Sequence, residues 1–276
     1  MEEAINPAMG TIVSWKAPKE VLLEALENAL DDAGFDPKKL CRPMIARDAF
    51  TRAARELSES RVIDKISEDE TTISFQFTKK WIEEQEFKFD KEFVLTVHKE
   101  TGTVTGGNPE LAKTAFDLLV QHQGKRNTSD VSRMIQKIFE AEGGDLIPLR
   151  EAGGVYFVPD SHKELVDAIR KLLKDIGGYL CSFDIRFGQE DTQDSVAEAM
   201  TNHLSDLISQ FRESCQEINP ESADWLVDRR KRTIKSIKDK LECYHGLLQG
   251  HSERLGHEVN DAETLLLEHI KKETEA

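Results

Sequence analysis

Cysteine is scarce in this chain. There are four in 276 residues, at Cys41, Cys181, Cys215 and Cys243, far apart and with no CxxC pair. That spacing excludes a disulfide framework and the common zinc-finger patterns. Cys215 and Cys243 fall on predicted helices, where they are expected to be small, buried, reduced thiols. Long apolar runs are also missing: no stretch approaches the ~20 residues that a membrane helix requires. The start, MEEAINPAMG, lacks the basic and apolar regions of a signal peptide, so a cytoplasmic protein is expected. Basic charge is in deficit, with 37 Lys and Arg against 52 Asp and Glu and a net charge of −15. Such a balance opposes non-specific attraction to nucleic acid or anionic lipid, and any binding of that kind needs a local basic patch. The GxxxxGK[ST] phosphate loop, GxGxxG after a strand, HExxH and GxSxG are all absent. The glycine pairs at 106–107, 143–144, 153–154 and 177–178 each sit where a turn or helix end is needed. No catalytic residue, metal site or cofactor is therefore expected.

What is present is mostly helix, with two β regions. SWKAPKEVLLEALENALDDAGFDP predicts a helix with Pro18 in its first turn, a stripe of Leu22, Leu26 and Leu30, and Gly34 at its end. CRPMIARDAFTRAARELSES predicts a second, opened by Pro43, with Ile45, Ala49, Ala53 and Leu57 on one face. The period then changes to two. Ile73, Phe75 and Phe77 alternate with polar residues, and Phe87, Phe89, Phe93, Leu95 and Val97 do the same, predicting an antiparallel meander over residues 62–106. NPELAKTAFDLLVQHQ is a helix capped by Asn108 with Pro109 in first position. After a loop, another helix presents Val131, Ile135, Ile138 and Phe139 inward. DLIPLREAGGVYFVPD predicts a strand, a turn at Glu151–Gly154 and a second strand, with the glycines supplying positive backbone angles. A helix closed by Gly177 and Gly178 and a strand, YLCSFDIRF, follow. Helix, short loop, helix and hairpin, over 108–158, form a winged-helix-like succession.

The last third carries the clearest period. Met200, Leu204, Leu207, Phe211 and Ile218 define one long helix, and Asn219-Pro220 restarts the chain. Val227, Ile234, Leu241, Leu248, Leu255 and Ala262 recur every seven residues, with Ile237 and Tyr244 in the companion position. The pattern predicts an antiparallel, coiled-coil-like helical hairpin. Its interaction seam is Val227, Ile234, Ile237, Leu241, Tyr244, Leu248 and Leu255. Gly246, Gly250 and Gly256 are expected to bend the second arm, each costing roughly 1 kcal/mol relative to alanine, and HIKKETEA is expected to be a loose tail. Two basic clusters interrupt the acidic background. Lys125, Arg126, Arg133, Gln136 and Lys137 occupy the place of a winged helix's groove-reading helix and its loop. DRRKRTIKSIKDK, residues 228–240, faces an acidic first arm in the hairpin reading, with Asp206 near Arg232 and Lys235 and Glu198 near Lys240. His245, His251 and His257 recur every six residues, which spreads them around a helix instead of stacking them on a metal. Asp160, Asp184 and Arg186 loosely mimic the acid pair and base of a metal-dependent nuclease.

An early tryptophan, Trp15, the central GGVYFVP and the polar coiled-coil region after it resemble an uncharacterised family of bacterial and phage proteins. The resemblance spans residues 11 to 245. It implies a prokaryotic or phage setting and carries no activity or catalytic residue. The expected fold is α+β, in four segments: N-terminal helices over 1–60, the meander over 61–107, the winged-helix-like segment over 108–190 and the helical hairpin over 191–276. The expected function is a non-enzymatic assembly or adaptor protein, a homo-oligomer or a binder of a protein partner through the hairpin. The alternative is nucleic-acid binding through 108–158, with a metal-dependent nuclease a distant third.

Overall fold

The computed structural model describes residues 7–58, 61–83, 86–142, 144–150, 153–188, 190–216, 224–248 and 250–274. The protein is a mixed α/β chain with antiparallel sheets and a helical C-terminal region. It divides into two compact units. One comprises Met1–Trp15, Phe139–Asp167 and Leu180–Ala276, the other Lys16–Ile138 and Ala168–Tyr179.

The first unit is organised around β1 (Ala8–Lys16), which the expected N-terminal helix had claimed in part. The helix α1 is only Leu23–Asp32, and Pro18 lies before β2 (Glu20–Leu22), outside any helix. The reason is pairing. β1 lies in a four-stranded sheet between β10 (Tyr179–Arg186) and β9 (Tyr156–Pro159), with β8 (Ile147–Pro148) at the edge. Gly10 faces Pro159 and Val13 faces Tyr156. A side chain at position 10 would collide with the Val158 carbonyl and the Phe157 ring, so glycine is what lets these strands approach. The β8–β9 hairpin forms as expected, with Ile147 opposite Phe157. Its glycines Gly153 and Gly154 hold φ of 66° and 82°, although turn residues 151 and 152 lie outside the described set. Trp15 stacks on Tyr156 with centroids 5.2 Å apart.

The helices of this unit are α7 (Glu190–Gln216), α8 (Asp224–Cys243) and α9 (Ser252–Thr274). The anticipated second arm is therefore two helices. α8 stops at Cys243, a turn at His245–Leu247 follows, and Gly250 takes φ 101° before α9 begins. The seven-residue period runs straight across this break because Leu248, Leu255 and Ala262 all return to the same core, each 0% exposed. Helix also continues through the anticipated loose tail to Thr274. Asn219-Pro220 lies outside the described residues.

In the second unit, β3 (Arg61–Glu68), β4 (Thr72–Glu83), β5 (Glu86–His98) and β6 (Val104–Gly106) form the expected meander in sequential order. One face carries Ile73, Phe75, Phe77, Leu95 and Val97 against α3 (Ala46–Glu56) and α4 (Pro109–Gln123). α3 approaches closely through Ala46, Ala49 and Ala54. It begins at Ala46 instead of Pro43, and Ile45, placed on the buried face by its spacing, is 56% exposed. Asn108 caps α4 through the Leu111 N–H at 2.7 Å, as its sequence predicts. Between α4 and α5 (Thr128–Ala141) the anticipated loop contains β7 (Lys125–Asn127), which pairs with β2. Asn127 and Asp130 cap α5 reciprocally, each side chain accepting the other's backbone N–H at 3.0 Å. α6 (Lys163–Asp175) ends at Gly177, φ 80°.

One register shift decides what the sheet exposes. Phe77 pairs with Phe93 but Thr78 pairs with Lys91, so Glu92 is an extra residue, a β-bulge. Arg61 of β3 holds the bulged Glu92 carboxylate. Beyond the bulge Phe89 pairs with Lys80 and Phe87 with Ile82, on the face opposite Phe77 and Phe93. The strict alternation from Phe87 to Val97 thus breaks in the middle, and Phe87 and Phe89 are 58% and 59% exposed.

Candidate functional site

The first basic cluster is largely structural. Lys125 pairs with Glu20 at 3.1 Å. Arg126 is 8% exposed and donates to the backbone carbonyls of Gln123 (3.1 Å), Lys125 (2.7 Å) and Arg42 (2.8 Å). The bond to Arg42, with Gln123 donating to the Met44 carbonyl at 3.1 Å, engages carbonyls just before α3. Arg133 and Lys137 are exposed one turn apart on α5, and Gln136 between them is half-buried. Helices 109–123 and 128–138 belong to the second unit and the β8–β9 hairpin to the first.

The anticipated seam residues close the C-terminal core. Ile234, Ile237, Tyr244, Leu248 and Leu255 are buried with Met200, Leu204, Ile208 and Phe211 of α7 and Val259 and Leu266 of α9. Leu241 packs against this cluster, and Val227 is half-buried. Of the two cysteines expected to be buried, Cys215 is and Cys243 is exposed. The anticipated cross-arm ion pairs are replaced by others. Lys240 bonds Asp145, and Lys238 bonds Glu263 of α9 at 2.6 Å. Among the described residues, Asp206 forms no ion pair with Arg232 or Lys235.

Asp145 is the centre of a buried polar cluster absent from the sequence reading. It is 6% exposed and accepts from Lys240 and from the Tyr244 hydroxyl at 2.6 Å. Burial, then the bond to Asp145 and that carboxylate's charge, push the Tyr244 phenol well above its ordinary range. His203 borders the same cluster and lines a cavity of about 420 Å³ with Arg150, Ser195, Glu198, Asn202 and Asp206. Burial holds its imidazole below the usual histidine value, helped by Lys240 and opposed by Asp145 and Asp206. A histidine with a lowered folded-state pKa binds its proton more readily once unfolded. The unfolding free energy is therefore expected to fall as pH drops below about 6.5. His203→Gln should flatten that limb in urea titrations between neutral and acidic pH; an unchanged slope would remove His203 as its source.

Two surfaces remain as candidate sites. The first is a groove of about 750 Å³ between α7 and α8, lined by cations, neutral hydrogen-bonding groups and apolar side chains. The cations are Arg229, Arg230, Arg232 and Lys240; the neutral groups are Gln210, Ser214, Thr233 and Ser236. Among the described lining residues there is no carboxylate. The second is the end of the β4–β5 ribbon. Among the described residues β3 leaves β4 at Lys79 and β6 covers only Leu95–Val97 of β5, so Lys80–Glu83 and Glu86–Phe89 pair there with each other alone. Ile82, Phe87 and Phe89 share one face, with Ile82 67% exposed and Lys80 over the Phe87 ring at 4.0 Å.

Asp184, from the nuclease-like reading, accepts from Thr11 at 3.1 Å, and Asp160 lies in the turn before α6. Among the described residues no group of three or more His, Cys, Asp or Glu side chains is placed to hold a metal ion. Among the described residues no helix is long and apolar enough to cross a membrane.

Fold and surfaces together define a mixed α/β protein that offers a basic groove and an apolar ribbon. The chain belongs to a family of unknown function, DUF6744, whose model matches residues 8–275. No curated protein and no solved structure matches it.

Proposed function

We propose that the protein is a non-enzymatic cytoplasmic adaptor that binds an acidic segment of a protein partner on its β4–β5 ribbon. The observation that carries this reading is the uncovered row of Ile82, Phe87 and Phe89. A two-stranded ribbon alone is marginal in water, and an exposed aromatic row gains about 1–3 kcal/mol per side chain when covered. Charge specifies the occupant. Lys80 and Lys91 stand on the same face as the apolar row, and no carboxylate does among the described residues of that stretch. A second copy of the ribbon laid on this face would oppose lysine to lysine, whereas an acidic segment with apolar anchors complements both features. Self-association through the anticipated seam would require the C-terminal core to open and expose Leu248 and Leu255, which favours the ribbon as the contact surface. The GGVYFVP resemblance implies a bacterial or phage setting for that partner.

The test is a photo-crosslinking amino acid at position 87, with the same residue at the exposed position 113 as control, in cells that express the full chain. One dominant protein adduct at position 87 and none at 113 is the expected result. The same adducts at both positions, or none at 87, would overturn the reading. The winged-helix-like alternative draws support from Arg133 and Lys137, exposed one turn apart on α5. It predicts salt-dependent nucleic-acid binding abolished by neutralising that pair.

A further inference from the structure

The groove between α7 and α8 asks for a ligand of its own. In a chain of net charge −15, four cationic side chains line it without a carboxylate among the described residues. At physiological ionic strength charges are screened beyond about 8 Å, so a ligand seated in the groove meets the local cations more than the distant acidic surface. The helix pattern extends the site. Trp225, Arg229, Arg232, Ser236 and Lys240 are spaced by four, three, four and four residues, which keeps them on one face of α8. Ile234 lies on the opposite face, and Ile237, beside Ser236, is buried at the floor of the groove. Trp225 is 62% exposed in the first turn of α8, one helical turn before Arg229.

Not every cation there is available. Arg230 is half-buried, and its Nε donates to the Ser214 carbonyl at 3.2 Å, linking the two helices. Lys240 is held by Asp145. Arg229 and Arg232 are exposed; the Arg232 Nε donates to the Asp228 carbonyl one turn back at 3.3 Å. In the neutral lining, Ser214 and Thr233 already donate to the Phe211 and Arg229 carbonyls at 2.7 and 3.0 Å, and Gln210 and Ser236 supply the donors that suit phosphate oxygens.

We infer that this face of α8 and its groove form a binding site for single-stranded nucleic acid. Arg229 and Arg232 meet successive phosphates and Trp225 stacks on an unstacked base. Single strands are specified over duplex because an indole reaches a base face only when the base is unpaired. The groove lies in the first unit and the ribbon in the second, so this inference is independent of the proposed protein partner.

The test is fluorescence anisotropy with the full chain and a labelled oligothymidylate of about 15 nucleotides. It is repeated with a duplex of equal length, at roughly 50 and 200 mM salt. Wild type is expected to bind the single strand more tightly than the duplex. Arg229→Gln with Arg232→Gln should weaken binding at least tenfold and reduce the log–log salt slope by about 1.4, the value for two lost contacts to a single strand. Trp225→Ala should weaken binding at least fivefold, from the stacking of one base. Lys38→Ala with Lys39→Ala, which removes two exposed lysines from the second unit, should leave affinity unchanged. Thermal melts of each variant exclude unfolding as the cause. The inference is overturned if wild type does not bind, if duplex is preferred, or if folded Arg229/Arg232 and Trp225 variants bind as wild type does.

Discussion

Arg126→Ala is expected to lower the unfolding free energy by about 3 kcal/mol or more. The side chain is 8% exposed and donates to three carbonyls, those of Gln123, Lys125 and Arg42. Truncation leaves those acceptors without their donor, and an unsatisfied buried polar group costs about 1–3 kcal/mol. Lysine is not a substitute. Its single ammonium is a point donor, whereas the guanidinium reaches the turn after α4 with one nitrogen and the segment before α3 with another. Arg126→Lys should therefore recover less than half of the loss. Urea unfolding of the three proteins checks this, and a loss below about 1 kcal/mol for the alanine variant would show that water fills the site. The same variant bears on the alternative function, since a residue that ties α3 to α4 is not free to contact phosphate.

Asp145→Ala is expected to cost about 3 kcal/mol in the same measurement. It leaves the Tyr244 hydroxyl without its acceptor and Lys240 without its counter-ion. The upper end of the range for broken buried pairs does not apply, because the Lys240 side chain is 29% exposed and can turn to water. A second arm separates the phenol from the ammonium. Tyr244 titrates above its ordinary value in the fold, so its contribution is complete below about pH 10 and is lost as pH rises beyond it. Tyr244→Phe should cost about 1 kcal/mol at neutral pH, and the deficit should shrink in alkaline urea titrations. A deficit that stays constant with pH would assign the effect to packing.

The meander was legible because its core strands alternate strictly, and α4 because Asn108-Pro109 is a complete start signal. Phe87 and Phe89 were misplaced for a definite reason. Their parity matches Phe93, Leu95 and Val97, and nothing local marks Glu92 as the residue where the strand skips. The N-terminal strand was hidden differently. SWKAP adjoins a leucine stripe of which Leu26 and Leu30 are buried in α1 while Leu22 ends β2 and is exposed, and β1 is stabilised by β9 and β10, which lie more than a hundred residues away. The C-terminal period of seven was real as burial and misleading as geometry, since a chain that turns back can return the same spacing to one core. For the candidate site, the basic run at 228–240 was visible. Which of its cations are exposed was not, because Lys240 is claimed by Asp145, distant in sequence. Arg126 gave no signal either, since a buried arginine that serves carbonyls looks the same in sequence as one that serves phosphate.

The three tryptophans also make the molecule its own spectrometer. Trp15 lies against the Tyr156 ring with the planes only 13° apart, Trp81 is 38% exposed on the ribbon and Trp225 is 62% exposed on α8. Each indole thus marks a different part of the chain. Replacing any two with phenylalanine leaves one emitter, whose spectrum reports melting of the β1–β9 pairing, melting of the ribbon from its face opposite Ile82, or occupation of the α8 face, with no added label.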